Sequence, residues 1–219
     1  MGICYIVGAG DFADAPAPGP GDFLIAADGG ALHLARAGLC PDLFVGDFDS
    51  LPAGFVPSCP VLRFPPEKDD TDTALAVAEG RRRGYREFCI YGALGGARLD
   101  HTVANLVALA GYARAGLTVT LIGRGQRARV LFCGTLHFSA EFSGIVSVFA
   151  LGGDAHGVTL RGLQYPLSDA TLHGDVPLGV SNHFLDGEEA VVSVSDGCLL
   201  MIYEGSGEIR EEKTECIGQ

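Results

Sequence analysis

Apolar residues fall along this chain in two rhythms, and the change comes near residue 125. In the first stretch, short continuous apolar runs alternate with segments of helical period. Cys4-Tyr5-Ile6-Val7, Phe23-Leu24-Ile25-Ala26-Ala27, Leu43-Phe44-Val45, Val61-Leu62-Arg63-Phe64, Glu87-Phe88-Cys89-Ile90-Tyr91 and Thr118-Val119-Thr120-Leu121-Ile122 predict strands. Runs with little polar alternation suit strands covered on both faces. Between them, Gly30 to Ala37 predicts a helix ended by Gly38, and Thr102 to Ala115 one closed by Gly116. A third helix follows Asp72, with Arg81-Arg82-Arg83 at its end, so its charges suit the helix dipole at both termini. This order predicts an α/β domain with a mainly parallel sheet.

After Gly123-Arg124-Gly125 the helical period disappears. Ala128 to Phe132, Gly144 to Ala150, Ala190 to Ser195 and Cys198 to Tyr203 alternate as strands do, punctuated by Gly, Asp and Ser. Asp196-Gly197 between two such runs predicts a hairpin, and the tail from Glu204, with its acidic Glu211-Glu212, is expected to be exposed. The second half therefore predicts an all-β, sandwich-like C-terminal domain, with domains 1–124 and 125–219.

Composition narrows the function. The chain has 219 residues, 47% of them hydrophobic, enough for a sizeable core. A net charge of −12 repels phosphate backbones and excludes a general nucleic-acid binder. A small anionic ligand remains compatible, because a metal ion and a few local cations offset the field within one cleft. The seven cysteines are dispersed without zinc-site spacing and read mostly as small core residues in a reducing cytosol. With no signal-type segment and no apolar run of membrane-spanning length, a cytoplasmic location without membrane contact is the default expectation.

Candidate chemistry gathers where predicted strands end. Asp47 and Asp49 follow an apolar run; an extended backbone would set them side by side, about 6–7 Å apart, suited to one hard cation. A surface turn is the competing explanation. Lys68-Asp69-Asp70-Thr71-Asp72 precedes a helix; capping accounts for one or two of these residues, and the rest suit metal and phosphate at a helix N-terminus. Gly92-Ala93-Leu94-Gly95-Gly96-Ala97-Arg98-Leu99-Asp100-His101 offers close backbone approach and a guanidinium fork, or else a tight turn capped by Asp100. Asp28-Gly29-Gly30 suits a nucleotide contact or a plain turn equally. Gly8-Ala9-Gly10 lacks the full dinucleotide fingerprint, and Gly179-Val180-Ser181-Asn182-His183-Phe184 is a polar knot in the β half.

Taken in order, Ala27 to Ala31, Pro41 to Ser50, Lys68 to Asp72, Gly95 to His101 and Gly179 to Asn182 resemble the thiamine pyrophosphokinases of the bacterial type. The resemblance implies transfer of a pyrophosphoryl group from ATP to the hydroxyethyl oxygen of thiamine, giving thiamine diphosphate and AMP with Mg2+. It implies an ATP-binding first domain, a thiamine-binding second domain, and a homodimer with active sites at the subunit interface. On these motifs Asp47, Asp49 and Asp72 would hold the metal. Asp28, Gly29, Gly30, Lys68, Asp69, Thr71, Arg98 and His101 would line the ATP site, and Ser181 and Asn182 would face thiamine. Asp72, Asp100 and Arg98 would be the catalytic groups, with Asp72 or Asp100 accepting the hydroxyl proton. Ala97 stands between the glycine pair and Arg98, a departure from the family pattern. The chain also has no tryptophan to stack on thiamine, leaving Tyr165 as the substitute.

Three rivals remain at this level. The first is a pyrophosphokinase for another heterocyclic alcohol such as a pterin, since the ATP motifs do not select the acceptor. An aspartate-nucleophile phosphatase is loosely suggested by Asp47-Phe48-Asp49-Ser50, although Gly46 interrupts its strand. The third is a non-catalytic binding module with a degenerate nucleotide site.

Overall fold

The continuous apolar runs of the first stretch lie side by side in a computed structural model, which describes residues 2–52, 54–64, 71–214 and 216. They are β1 (Cys4–Val7), β2 (Phe23–Ala27), β3 (Leu43–Gly46), β4 (Val61–Arg63), β5 (Glu87–Tyr91) and β6 (Thr118–Ile122). Every pairing among them is parallel, in the order β6-β5-β1-β2-β3-β4. The crossovers carry α1 (Gly30–Arg36), α2 (Asp72–Arg82) and α3 (Leu99–Arg114). Two compact units divide the chain, Met1–Asn105 with Gly116–Arg124 and Leu106–Ala115 with Gly125–Gln219, the division passing through α3.

Strand alternation assigns each face of the first unit its helix. Val7, Leu24, Ala26 and Phe44 share a buried cluster with Ala31 and Leu34 of α1. On β1 the opposite residue Cys4 turns to α2, where a Cβ on Gly80 would lie 2.9 Å from its Sγ and 2.6 Å from the ring of Phe88. Gly80 is thus a packing glycine, allowing the helix axis close to the sheet. Burial in this layer pushes the Cys4 thiol up to about 12, which keeps it an inert core group. α3 begins at Leu99 rather than Thr102, so Asp100 and His101 lie in its first turn.

The second unit is antiparallel throughout. It comprises β7 (Arg127–Phe138), β8 (Ile145–Ala150), β9 (Ala155–Arg161), β10 (Leu167–Leu172), β11 (Asn182–His183), β12 (Ala190–Tyr203) and β13 (Ile209–Lys213). β12 pairs with β7 along both halves, while its other edge takes β9 first and β8 afterwards. Phe138, Phe142, Phe184 and Tyr203 meet in the core with ring centroids 5.1–5.9 Å apart.

Two expectations are corrected here, and a third is sharpened. Asp196-Gly197 makes no hairpin: the two runs are one strand, and the register shifts between Val194 and Cys198. Both halves already have β7 as a partner, so Gly197, at φ 101°, serves a β-bulge instead of a reversal. The tail after Glu204 is largely exposed, as expected, and it forms a strand. β13 pairs with β7 from Ile209↔Phe138 to Lys213↔Gly134, and the Arg129 guanidinium bonds the Glu211 carboxylate. Finally, Cys133 and Cys216 are joined in a disulfide, whereas Cys4 and Cys198 are the buried free thiols. Among the described residues no helix is long and apolar enough to cross a membrane.

Candidate active site

The strand β3 stops at Gly46, one residue before the first aspartate of the pair. Asp47-Phe48-Asp49 is therefore a turn and not the extended strand expected. Phe48 takes φ 78°, and its ring packs against Phe44 at 4.5 Å with the Arg63 guanidinium 4.4 Å from its centroid. Of the flanking aspartates, Asp47 is half-buried and Asp49 exposed. The Asp49 N–H donates to Asp47 Oδ1 at 3.0 Å, and the Ser50 hydroxyl to Asp49 Oδ1 at 2.9 Å.

Parallel pairing brings a third carboxylate to this turn. β2 pairs with β3 through Ala27↔Val45, and the next residue, Asp28, donates its N–H to the Val45 carbonyl at 2.8 Å. Asp28 is buried at φ 45°, and a Cβ on Gly46 would lie 3.1 Å from its Cα. Carboxylate oxygens of Asp28, Asp47 and Asp49 all lie within 4.8 Å of one another. Two full charges at that separation repel by about 3–4 kcal/mol at an effective dielectric of about 20, a repulsion that a bound cation would remove. Burial pushes the Asp28 carboxyl up, and the Asp72 and Asp49 charges push the same way against the Ser50 hydroxyl and the Gly29 N–H. Asp28 Oδ1 is buried without a hydrogen-bond partner. An orphaned, buried oxygen beside two more carboxylates fits a hard divalent ion.

The remaining expected residues divide between chemistry and scaffolding. Asp72 is the first residue of α2 and acts on Asp28 through its charge, while standing outside the 4.8 Å group. Thr71 caps α2, its Oγ1 accepting the Ala74 N–H at 3.1 Å. Lys68 and Asp69 lie outside the described residues. The Gly29-Gly30 pair has a packing reason: a Cβ on Gly30 would fall 1.8 Å from the Val7 carbonyl oxygen, and one on Gly29 2.9 Å from Ala9 Cβ. Arg98 and Asp100 are bonded to each other, with Nε to Oδ1 at 2.9 Å and Nη2 to Oδ2 at 2.5 Å. Arg98 holds the Asp100 carboxyl down at about 2, a poor proton acceptor in this arrangement. His101 is exposed beside them.

Strand order adds a feature discounted in the sequence. β1 leads rightward to β2, β3 and β4, whereas β5 returns to its other side, so the topological switch lies between β1 and β5. Ligands bind at such switches, beyond the carboxyl ends of the strands. The two loops there are Gly8 to Asp11 and Gly92 to Gly96, locked by Gly8 N–H to Tyr91 O at 2.8 Å and Gly10 N–H to Gly92 O at 2.9 Å. His33 Nε2 lies 3.0 Å from the Gly10 carbonyl oxygen, and its ring stacks on Phe12 at 4.9 Å. Gly8-Ala9-Gly10, weak as a sequence motif, has its reason here, since a Cβ on Gly10 would sit 2.6 Å from Gly92 O.

In the second unit, Ser181 and Asn182 are neighbours with different surroundings. Ser181 is exposed at φ 56°, its N–H donating to Ser147 Oγ at 3.1 Å. Asn182 is 3% exposed, and its amide is committed to the backbone of Tyr165. Leu160, Tyr165, Leu167, Leu178, Val180 and Asn182 line an apolar cavity of about 270 Å3.

Two family profiles match the chain in order: Thiamin pyrophosphokinase, catalytic domain, over residues 20–121, and Thiamin pyrophosphokinase, vitamin B1 binding domain, over residues 135–199. A thiamin pyrophosphokinase family protein from Enterococcus faecalis is 30% identical with a TM-score of 0.79, covering 93% of this chain and 99% of that one. The chain belongs to the thiamin pyrophosphokinase family. The thiamine pyrophosphokinase of Bacillus subtilis (strain 168) is 28% identical over 184 residues, 81% of this chain and 85% of the relative. The thiamin pyrophosphokinase of Geobacillus thermodenitrificans has a TM-score of 0.78 at 28% identity, covering 93% and 98%. The catalytic-domain match spans the whole carboxylate group, and the vitamin B1 binding match spans the cavity beside Asn182.

Proposed function

We propose that this chain transfers a pyrophosphoryl group from ATP to thiamine, giving thiamine diphosphate and AMP. The observation that carries the reading is the Asp28, Asp47 and Asp49 group, with its orphaned oxygen, at the carboxyl ends of parallel strands within the catalytic-domain match. A divalent ion held there, which we take to be Mg2+, would supply charge neutralisation on the triphosphate. Asp28 joins Asp47 and Asp49 in this assignment, and Asp72 serves from the start of α2. The acceptor hydroxyl attacks the β-phosphorus as the bond to the α-phosphate bridging oxygen breaks, releasing AMP. We assign acceptance of the hydroxyl proton to Asp72, because Asp100 is tied to Arg98. Arg98, oriented by Asp100, would meet phosphate oxygens.

We assign ATP to residues 1–124 and thiamine to residues 125–219, a division supported by the catalytic and vitamin B1 binding matches within them. A homodimer whose active sites draw on both copies completes the proposal, in a cytoplasmic setting. Leu99, Val103 and Val107 recur every four residues along α3 and are exposed, an apolar stripe suited to a second copy. The pterin, phosphatase and binding-module readings are not favoured, since a vitamin B1 binding match accompanies the catalytic one.

The deciding experiment incubates purified protein with thiamine, ATP and Mg2+ and separates the products. Thiamine diphosphate and AMP in equal amounts are expected; ADP, or no turnover, would overturn the reading.

A further inference from the structure

A second cluster of metal-ligating side chains lies within the β unit, and the proposed reaction uses none of its residues. Cys133, Asp196 and Cys216 place ligand atoms within 4.8 Å of one another. We propose that these three residues form a cation site for a thiolate-preferring divalent ion of the zinc class, open when the Cys133–Cys216 disulfide is reduced.

Besides the sulfur–sulfur bond, which sets the two sulfurs together, backbone features hold the three segments near one another. Cys133 sits in the middle of β7 at φ 41°, a left-handed conformation that is costly for a non-glycine residue, and is buried. The bulge in β12 presents Asp196, whose register partner is His156, while Gly197 at φ 101° makes room: a Cβ there would fall 2.7 Å from the Asp154 carbonyl oxygen. The tail strand is drawn past Cys133 by the Lys213↔Gly134 pairing and by the Thr214 N–H donating to the Cys133 carbonyl at 3.2 Å. Cys216 thus follows only two residues after a backbone anchor on Cys133 itself, an anchor that reduction does not cut.

The donor set decides the ion. Two thiolates and one carboxylate match zinc, with Zn–S of about 2.3 Å, Zn–O of about 2.0–2.2 Å and a water in the fourth position. Mg2+ prefers oxygen ligands throughout and would select the Asp28 group instead. The chemistry balances in two steps. A dithiol reductant gives two electrons and two protons to the disulfide and becomes a disulfide itself. The ion then displaces one proton from each thiol and binds the two thiolates and the Asp196 carboxylate. Disulfide and ion are thus alternative cross-links between the end of β13 and the bend shared by β7 and β12.

The test uses the full chain, reduced until all seven cysteines titrate as thiols, and cobalt(II) as the probe. The expected result is one equivalent of cobalt showing thiolate-to-metal charge-transfer absorption, displaced by one equivalent of zinc. Cys216→Ser, a change in the tail and not in the buried bend, should abolish the band. Asp196→Asn should weaken cobalt binding by at least about tenfold. Absence of the band in the reduced wild type, or a band unchanged in Cys216→Ser, would overturn the site and leave the disulfide as a simple staple. Undiminished affinity in Asp196→Asn would overturn the three-ligand assignment.

Discussion

Asn182 grips Tyr165 by both of its backbone polar groups. The Tyr165 N–H donates to Asn182 Oδ1 at 2.9 Å, and Asn182 Nδ2 donates back to the Tyr165 carbonyl at 2.8 Å. The same Oδ1 accepts the His183 N–H at 2.9 Å. An amide used this fully shapes the wall of the adjoining cavity, which Asn182 lines together with Tyr165. Asn182→Ala is expected to cost about 1–3 kcal/mol of stability, since it strands buried backbone groups. On the proposed function it should raise KM for thiamine while leaving KM for ATP unchanged. Asn182→Asp keeps both acceptor contacts but sets a carboxylate oxygen against the Tyr165 carbonyl, so it should share the KM defect. Steady-state kinetics with each substrate varied in turn would check this; equal effects on both KM values would argue against a local role.

The Asp28 group should respond to substitution in opposite directions in stability and in activity. Asp28→Asn removes one of three mutually repelling carboxylates, so thermal stability in excess chelator should hold or rise. Stabilisation by added Mg2+ should shrink, and kcat should fall by at least on the order of 100-fold. Melting curves with and without Mg2+, set beside turnover, separate these effects. A variant that melts earlier in chelator would show that the carboxylate supports the fold.

Gly30 tests whether the Asp28-Gly29-Gly30 turn is bound by packing. With a Cβ 1.8 Å from the Val7 carbonyl oxygen and 2.5 Å from its carbon, the obstacle is a strand backbone in the centre of the sheet. Gly30→Ala should destabilise the protein by about 3 kcal/mol or more, as overpacking against an immovable neighbour does. Urea denaturation would measure it, and a loss under 1 kcal/mol would mean that α1 shifts freely on β1.

What could be read in advance followed the strength of the local signal. Buried parallel strands such as Leu24-Ile25-Ala26 announce themselves as apolar runs, and the helix from Asp72 by its terminal charges. β9 was hidden because Gly157 interrupts the alternation of Ala155, Val158 and Leu160, β10 because Ser168-Asp169 is polar and irregular in register, and β13 because Arg210-Glu211-Glu212-Lys213 carries no apolar face. Asp47 and Asp49 were visible as a pair, but Asp28 reaches them only through the Ala27↔Val45 register, a long-range fact no local pattern contains. The partnership of Asn182 with Tyr165 was out of reach for the same reason. Polar spacing marks where chemistry can gather; pairing register decides which groups meet.

Glu79 provides a pH test within the first unit. Its buried carboxylate accepts Arg82 Nε at 2.8 Å, Arg82 Nη2 at 2.9 Å and Arg83 Nε at 2.8 Å. The Arg82 hydrogen bonds hold its carboxyl below the usual 4.5, against burial and with help from Arg83. A carboxyl lowered on folding contributes stability that is complete above the unfolded value and fades as pH falls through the folded one. Glu79→Gln should therefore cost stability at pH 7, and the difference from wild type should narrow below pH 4.5. With Arg82 71% exposed and Arg83 37%, solvent screens both pairs, and the neutral-pH cost should be about 1 kcal/mol. Midpoints measured from pH 7 down to pH 3 for both proteins would check it. A gap that stays constant across that range would mean that Glu79 acts through packing and not through its charge.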